Sequence, residues 1–194
     1  MVKLFLILSL ILSFNALAET KTYQCGENCT ATLDDSGVLR VFGTGEMYDY
    51  DTNTRYETPW YNDRDDIKGI VVEEGITSVG DRAFFRCSNI EKIELAKSVK
   101  DVKFHAFDED KHIQNVTMYD TTTWEDQGNF NDRDTSPLIK INCYGDLENC
   151  RQNFSNTGDM KSQISLNYKG KLIYTIDEAN RVAGDKNRVS IRYR

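Results

Sequence analysis

VVEEGITSVGDRAFFRCSNIEKIEL, from Val71 to Leu95, decides the fold, because its apolar residues recur in the flanking sequence at a fixed interval. Superposing Ile67, Ile90 and Ile113, each 23 residues from the last, also brings Ile70, Ile93 and Val116 together, and Val72, Leu95 and Met118. Phe84, Phe107 and Phe130 align as well. With Ile76/Val99/Thr122, Val79/Val102/Glu125 and Ala83/Ala106/Asn129 there are seven columns, all apolar in the first two copies and four apolar in the third. A fixed period of this size marks stacked coils, each too small to bury its own apolar face.

Within one copy, IKGIVVEEG is followed by a Gly-centred break and then ITSVGDRAF, which reads as two short strands per coil. Ile70 and Val72 point inward on one side, Ile76, Val79 and Phe84 on the other, and the phenylalanines form a ladder along the axis. At roughly 2 kcal/mol per buried large apolar side chain, only several adjoining coils outweigh their ordering cost. The third copy carries Thr122, Glu125 and Asn129 at core columns and reads as a degenerate, terminal coil.

The quoted segment resembles the BspA-like class of leucine-rich repeat, in which an apolar strand is followed by a V-T-S-I-G-like turn and then A-F-x-x-C. Upstream, CGENCTATLDDSGVLRVFGTGEMYDY and PWYNDRDDIKGI are similar to the segment that commonly precedes such repeats. The likeness runs from Cys25 to about Phe130. It implies a mostly β fold: a short leucine-rich-type solenoid of about three to four 23-residue coils, with an N-terminal hairpin cap and a small C-terminal β/α cap. It also implies a non-enzymatic module for attachment to proteins, surfaces or cells, with Cys87 as a packed ladder cysteine. The second copy departs from the pattern, with Asp110 in place of that cysteine and His105 in place of Arg82.

Outward from the repeats, ATLDDSGVLRVFG reads as a hairpin turning between Asp34 and Gly37, covering the first coil. PLIKINCYGDLENCRQNF offers a last strand, Leu138 to Cys143, and a short helix carrying Leu147, Cys150 and Phe154. The tail then shows strand-like LIYTI, helical DEANRVA and strand-like RVSIRYR. At the other end, MVKLFLILSLILSFNALA has Lys3, an apolar run from Leu4 to Leu12, and small Ala16 and Ala18, the layout of a secretory signal cleaved after Ala18. The run is shorter than the roughly 20 residues that a membrane span needs. The expected divisions are a signal peptide at 1–18, a cap at 19–66, repeats and closing coil at 67–155, and a basic segment at 156–194.

A secreted chain with a formal charge of −7 is a poor match for nucleic acid, whose phosphates are bound by Lys and Arg. Residues 156–194 run the other way, with eight Lys or Arg against four Asp or Glu, including Arg188, Arg192 and Arg194. That segment is a candidate for self-association or for an acidic partner, or else a solvated strand face. Five cysteines in a secreted chain permit disulfides, with Cys25–Cys29 and Cys143–Cys150 the preferred pairs, although spacing does not fix connectivity. Cys87 is left over, as a reactive thiol or an intermolecular bridge, or else as a buried small apolar side chain; its place in the repeat favours the last.

No catalytic, cofactor or metal site is expected. The histidines, His105 and His112, lie far from both cysteine pairs, so no tetrahedral zinc spacing exists. Asp49, Asp51 and Asn53 open like a calcium loop, but Thr54 replaces its glycine and Trp60 its closing glutamate. Asn28, Asn115 and Asn153 begin sequons that accept glycans in a eukaryotic secretory pathway. Trp60 and Tyr61 are either a ligand platform or, the favoured reading, packing of the cap on Ile67 and Ile70. The candidate binding face is Lys68, Val71, Glu73, Glu91, Glu94, Gln114 and Thr117, whose acidity expects a basic extracellular protein or cell-surface partner. The alternatives are a structural component of an extracellular coat or wall and, behind it, a carbohydrate hydrolase using carboxylates near Trp60.

Overall fold

The computed structural model describes residues 20–50, 58–125, 129, 139–155, 164–169 and 171–175. The leader, Phe130, the DEANRVA and RVSIRYR stretches and the three C-terminal arginines lie outside them. Three antiparallel strands open the fold: β1 (Lys21–Gly26), β2 (Asn28–Leu33) and β3 (Val38–Glu46). Coils follow as strand pairs: β4 (Gly69–Val72) with β5 (Ile76–Val79), β6 (Lys92–Leu95) with β7 (Asp101–Val102), and β8 (Asn115–Tyr119) with β9 (Thr123–Trp124). The chain then forms β10 (Ile139–Tyr144), helix α1 (Leu147–Ser155), β11 (Ile164–Tyr168) and β12 (Lys171–Thr175).

These strands make two walls. The long wall runs β1-β2-β3-β4-β6-β8-β10-β11-β12, parallel from β3 to β11, and the short wall runs β3-β5-β7-β9, all parallel. This is a β-solenoid of about three turns with little helix. Strand β3 belongs to both walls, pairing β4 through Val38–Val41 and β5 through Gly45 and Glu46. The bend between them passes Gly43 at φ +120°, where a Cβ would lie 2.0 Å from the Asn28 carbonyl oxygen, so only glycine fits this corner.

Between the walls every inward column is buried: Ile70, Ile93, Val116 and Ile141 from the long wall, Ile76, Val79, Val99 and Val102 from the short one. Aromatic rings stack down the middle. Trp60 lies on Phe84 at 5.4 Å and Phe84 on Phe107 at 5.2 Å, both pairs inclined by only 17°. Trp124 closes the column, tilted 45° against Phe107 at 6.0 Å. The two tryptophans of the chain therefore bound the phenylalanine ladder, and the reading of Trp60 as core packing holds, with its indole N–H donating to the Ala83 carbonyl at 3.0 Å.

The third coil is not worn, which corrects the expectation from its polar residues. The register pairs Val102 with Trp124, an interval of 22, so Trp124 occupies the core place that strict periodicity gave to Glu125, and Glu125 is exposed. Thr122 is buried because its hydroxyl donates to the Val99 carbonyl at 3.0 Å. The Asn129 amide oxygen accepts the Phe107 N–H at 3.3 Å, substituting for the backbone carbonyl that Ala106 offers to Phe84. Nor is this coil terminal in the long wall, which continues through β10 and β11. Among the described residues the short wall runs to β9, where α1 packs beside β9 and β10.

A tight turn links the walls in each of the first two coils. Arg82 and Arg86 adopt left-handed backbone at φ +52° and +62°, and His105 and Glu109 repeat it 23 residues later at +53° and +62°. Such conformations cost about 1 kcal/mol per residue without glycine. Inter-coil bonds hold them: Arg82, Phe84 and Arg86 N–H groups donate to the carbonyls of Phe104, Ala106 and Asp108 at 2.9 to 3.1 Å.

Truncating the centre of the aromatic column, Phe84→Ala, is expected to cost about 3–5 kcal/mol, whereas its half-exposed neighbour Phe85→Ala is expected to cost under about 1 kcal/mol. Urea unfolding midpoints of the two variants measure the difference, and equal losses would contradict the column.

Candidate functional site

Strand alternation turns every second residue of the long wall to solvent. One outward row runs Arg40, Val71, Glu94, Thr117, Asn142, and the next Gly69, Lys92, Asn115, Lys140. A third row holds Tyr119 paired with Tyr144. Lys68, Glu91 and Gln114 sit just before their strands and are exposed, stacked through Glu91 N–H to Lys68 carbonyl and Gln114 N–H to Glu91 carbonyl, both 2.8 Å. Glu73 follows β4 and is also exposed. The seven residues selected from sequence thus share one surface.

Its electrostatics differ from the expected acidic face. Glu73 lies 3.8 Å from Arg40, and Glu94 forms an ion pair with Lys92. Glu91 stands next to Lys68. The carboxylates are matched by cations on the same wall, and exposed pairs of this kind contribute at most about 1 kcal/mol each. The surface is one of mixed charge. Sequence reasoning missed Arg40 because it lies on the cap strand β3, and missed Lys92 although it stands two residues before Glu94 on β6.

Many other carboxylates serve the backbone. Glu74 accepts the N–H groups of Lys97 and Ser98 at 2.9 and 3.2 Å, Asp81 that of Phe104 at 3.1 Å, Asp49 that of Asp81 at 3.0 Å, and Asp120 that of Asp146 at 2.8 Å. Asp49 therefore has a structural task, with Lys103 Nζ bonded to it and to Glu46 at 3.1 and 3.3 Å. Among the described residues no group of three or more His, Cys, Asp or Glu could hold a metal ion. His105 Nδ1 lies 2.7 Å from Asp108, and His112 reaches the Ser88 carbonyl at 2.5 Å.

The hydrolase premise loses its platform, since the Trp60 ring is wholly buried. Beside it, Asp63 accepts from Lys21 and from Tyr23 at 2.5 and 2.7 Å, bonds that hold its carboxyl below the usual range and tie β1 to the 3-10 turn at Tyr61–Asp66. A depression of about 210 Å³ near Lys68 is lined by Asp34, Asp35, Asp65 and Asp66 with Lys21 and Lys68. Asp34 there is committed to the turn, accepting from Ser36 and Val38.

Cys25 is bonded to Cys29 and Cys143 to Cys150. The second bridge joins β10 to α1, whose N-terminus is capped by Asp146, an acceptor for Glu148 and Asn149 N–H at 2.9 and 3.1 Å. Cys87 is buried in the core. Burial pushes its thiol pKa well up, and the nearby Asp110 carboxylate pushes the same way, so thiolate is scarce. Of the sequon residues, Asn28 is exposed at the start of β2, Asn115 is half-buried on the long wall between Lys92 and Lys140, and Asn153 donates from Nδ2 to the Asp120 carbonyl at 2.7 Å.

Two walls of parallel coil strands, a 23-residue inward pattern and a solvent-facing row of outward strand residues define the class: a leucine-rich-type β-solenoid. Residues 57–174 match the family described as BspA type leucine-rich repeat region (6 copies), and the chain belongs to that family. A leucine-rich repeat protein of solved structure from Eubacterium ventriosum is 23 % identical over 79 % of this chain, with a TM-score of 0.47. The match spans 45 % of that protein's length. No curated protein matches. Modules of this family are typically non-enzymatic and found at surfaces or outside cells. Among the described residues no helix is long and apolar enough to cross a membrane.

A thiol reagent such as Ellman's is expected to leave the native protein unlabelled, even at mildly alkaline pH, and to label one thiol per chain in denaturant. Rapid native labelling, read by absorbance, would refute the packed role of Cys87.

Proposed function

We propose that this is a secreted binding module that presents the outer face of the long wall to an extracellular protein or cell-surface ligand. The observation that carries the reading is the contrast between faces. Inward columns keep the same apolar chemistry from coil to coil, while the outward positions Val71, Glu94, Thr117 and Asn142 differ at every step. Leucine-rich modules typically bind proteins, and the leader sequence supports export. Because Glu73 and Glu94 are paired on the wall, a basic partner would meet only a modest field, and geometry would outweigh long-range attraction.

The test is a panel of extracellular matrix and serum proteins probed by biolayer interferometry. Placing arginines in the middle of the face, Val71→Arg with Thr117→Arg, is expected to weaken binding by at least about tenfold. Lys111→Ala, on the turn side, is expected to leave it unchanged. Equal loss in both would move the site elsewhere.

A second reading, a component of an extracellular coat, is favoured by charge asymmetry. Residues 19–66 hold eleven Asp or Glu against four Lys or Arg, and residues 156–194 reverse the balance with four against eight. Head-to-tail attraction between copies would then be screened by salt. Light scattering across a concentration series is expected to show larger species at low salt, lost when residues 156–194 are deleted; a monomer throughout would retire this reading.

A further inference from the structure

We propose that the part of the outer face formed by β8 and β10 is a binding site for a neutral polysaccharide, separate from the charged part on β3, β4 and β6. The inward columns run without a break along the stack: Ile70, Ile93, Val116, Ile141, and beside them Val72, Leu95, Met118, Cys143. The outward chemistry changes midway. On the first strands it is dominated by Arg40, Glu73, Lys92 and Glu94, mutually paired. On β8 and β10 it is Asn115, Thr117, Tyr119, Lys140, Asn142 and Tyr144, of which only Lys140 is charged. In a chain with 28 % charged residues this change is not a by-product of the repeat, because the core columns do not change with it.

The tyrosines are the centre of the site. Tyr119 and Tyr144 are register partners with ring centroids 5.7 Å apart, and Tyr144 is 48 % exposed. The preceding coils put Glu73 and Ala96 at the equivalent places, so the coil itself requires no ring there. The exposed ring of Tyr144, beside the half-buried ring of Tyr119, leaves apolar area in water at a position free to be charged. A pyranose has the matching two-sidedness: its C–H face lies on an aromatic ring and its hydroxyls exchange hydrogen bonds with amides and hydroxyls. Asn115, Thr117 and Asn142 offer both donors and acceptors beside the rings.

Charge selects the same ligand. No carboxylate projects from β8 or β10; Glu94, the register partner of Thr117, is ion-paired with Lys92, and Asp120 and Asp146 accept backbone N–H groups at the corner. One lysine is too little to gather a polyanion. The platform is also bounded: Ser165 and Asn167 on β11 share the register of Lys140 and Asn142 but are buried, so the open surface ends at β10.

Affinity electrophoresis tests the assignment, with protein made in a host that does not glycosylate Asn115 and native gels containing mannan, β-1,3-glucan, xylan, heparin or no polymer. At least one neutral polymer is expected to retard the protein independently of salt. Tyr144→Ala and Tyr119→Ala, each with an unchanged melting curve, are expected to weaken that retardation about tenfold, while Val71→Arg leaves it intact. No retardation by any of the three neutral polymers overturns the proposal. So does retardation that survives both tyrosine substitutions, or retardation by heparin alone that disappears with salt. Loss of protein partners in the Val71 variant bears on the binding-module reading and leaves this one standing.

Discussion

Every coil in this molecule depends on its neighbour's backbone. A strand pair with one apolar side cannot close on itself, and the hydrogen bonds that satisfy β4 or β5 run to β3 above and to β6 or β7 below. The spacing between parallel strands, roughly 4.8 Å, therefore dictates everything stacked along the axis. Rings at the centre must lie nearly flat on one another, as Trp60, Phe84 and Phe107 do. Branched aliphatics line the walls, and each corner must offer acceptors for the N–H groups of the coil that follows.

That last demand accounts for much of the acidity. Asp49, Asp81, Glu74 and Asp120 are acceptors for turn N–H groups one coil away, so their charge is a consequence of corner geometry before it is a feature of the surface. Net charge alone made the outer wall look like a lure for basic partners. The cations Arg40 and Lys92 reverse that impression: Lys92 pairs with Glu94 two residues along the same strand, whereas Arg40 meets Glu73 only once β3 and β4 are in register.

Legibility in the sequence followed periodicity. The strands, the inward residues and the hairpin cap were readable because burial imposes an alternation that survives substitution among Ile, Val, Leu and Met. Two kinds of feature were not. The one-residue contraction before Trp124 breaks the count without breaking the coil, since the indole fills the place from a shorter turn. The left-handed turns at Arg82, Arg86, His105 and Glu109 carry no glycine to announce them, and their stability comes from bonds between coils that no local pattern encodes. The outward rows are legible at Val71, Glu94 and Thr117, whereas Asn142 and Tyr144 are not, because β10 follows a stretch that interrupts the 23-residue count.

The two disulfides bear on how such a stack answers tension. Cys25–Cys29 spans four residues and Cys143–Cys150 seven, and each bridge stays within one end of the molecule. No covalent link ties one coil to the next. Under tension the coils, held to one another by hydrogen bonds and packing alone, would part singly, each giving up a short length of extended backbone before the next takes the strain. The bridges would shorten the extended chain by only a few residues, so the solenoid would behave as a graded tether and not as a rigid strut.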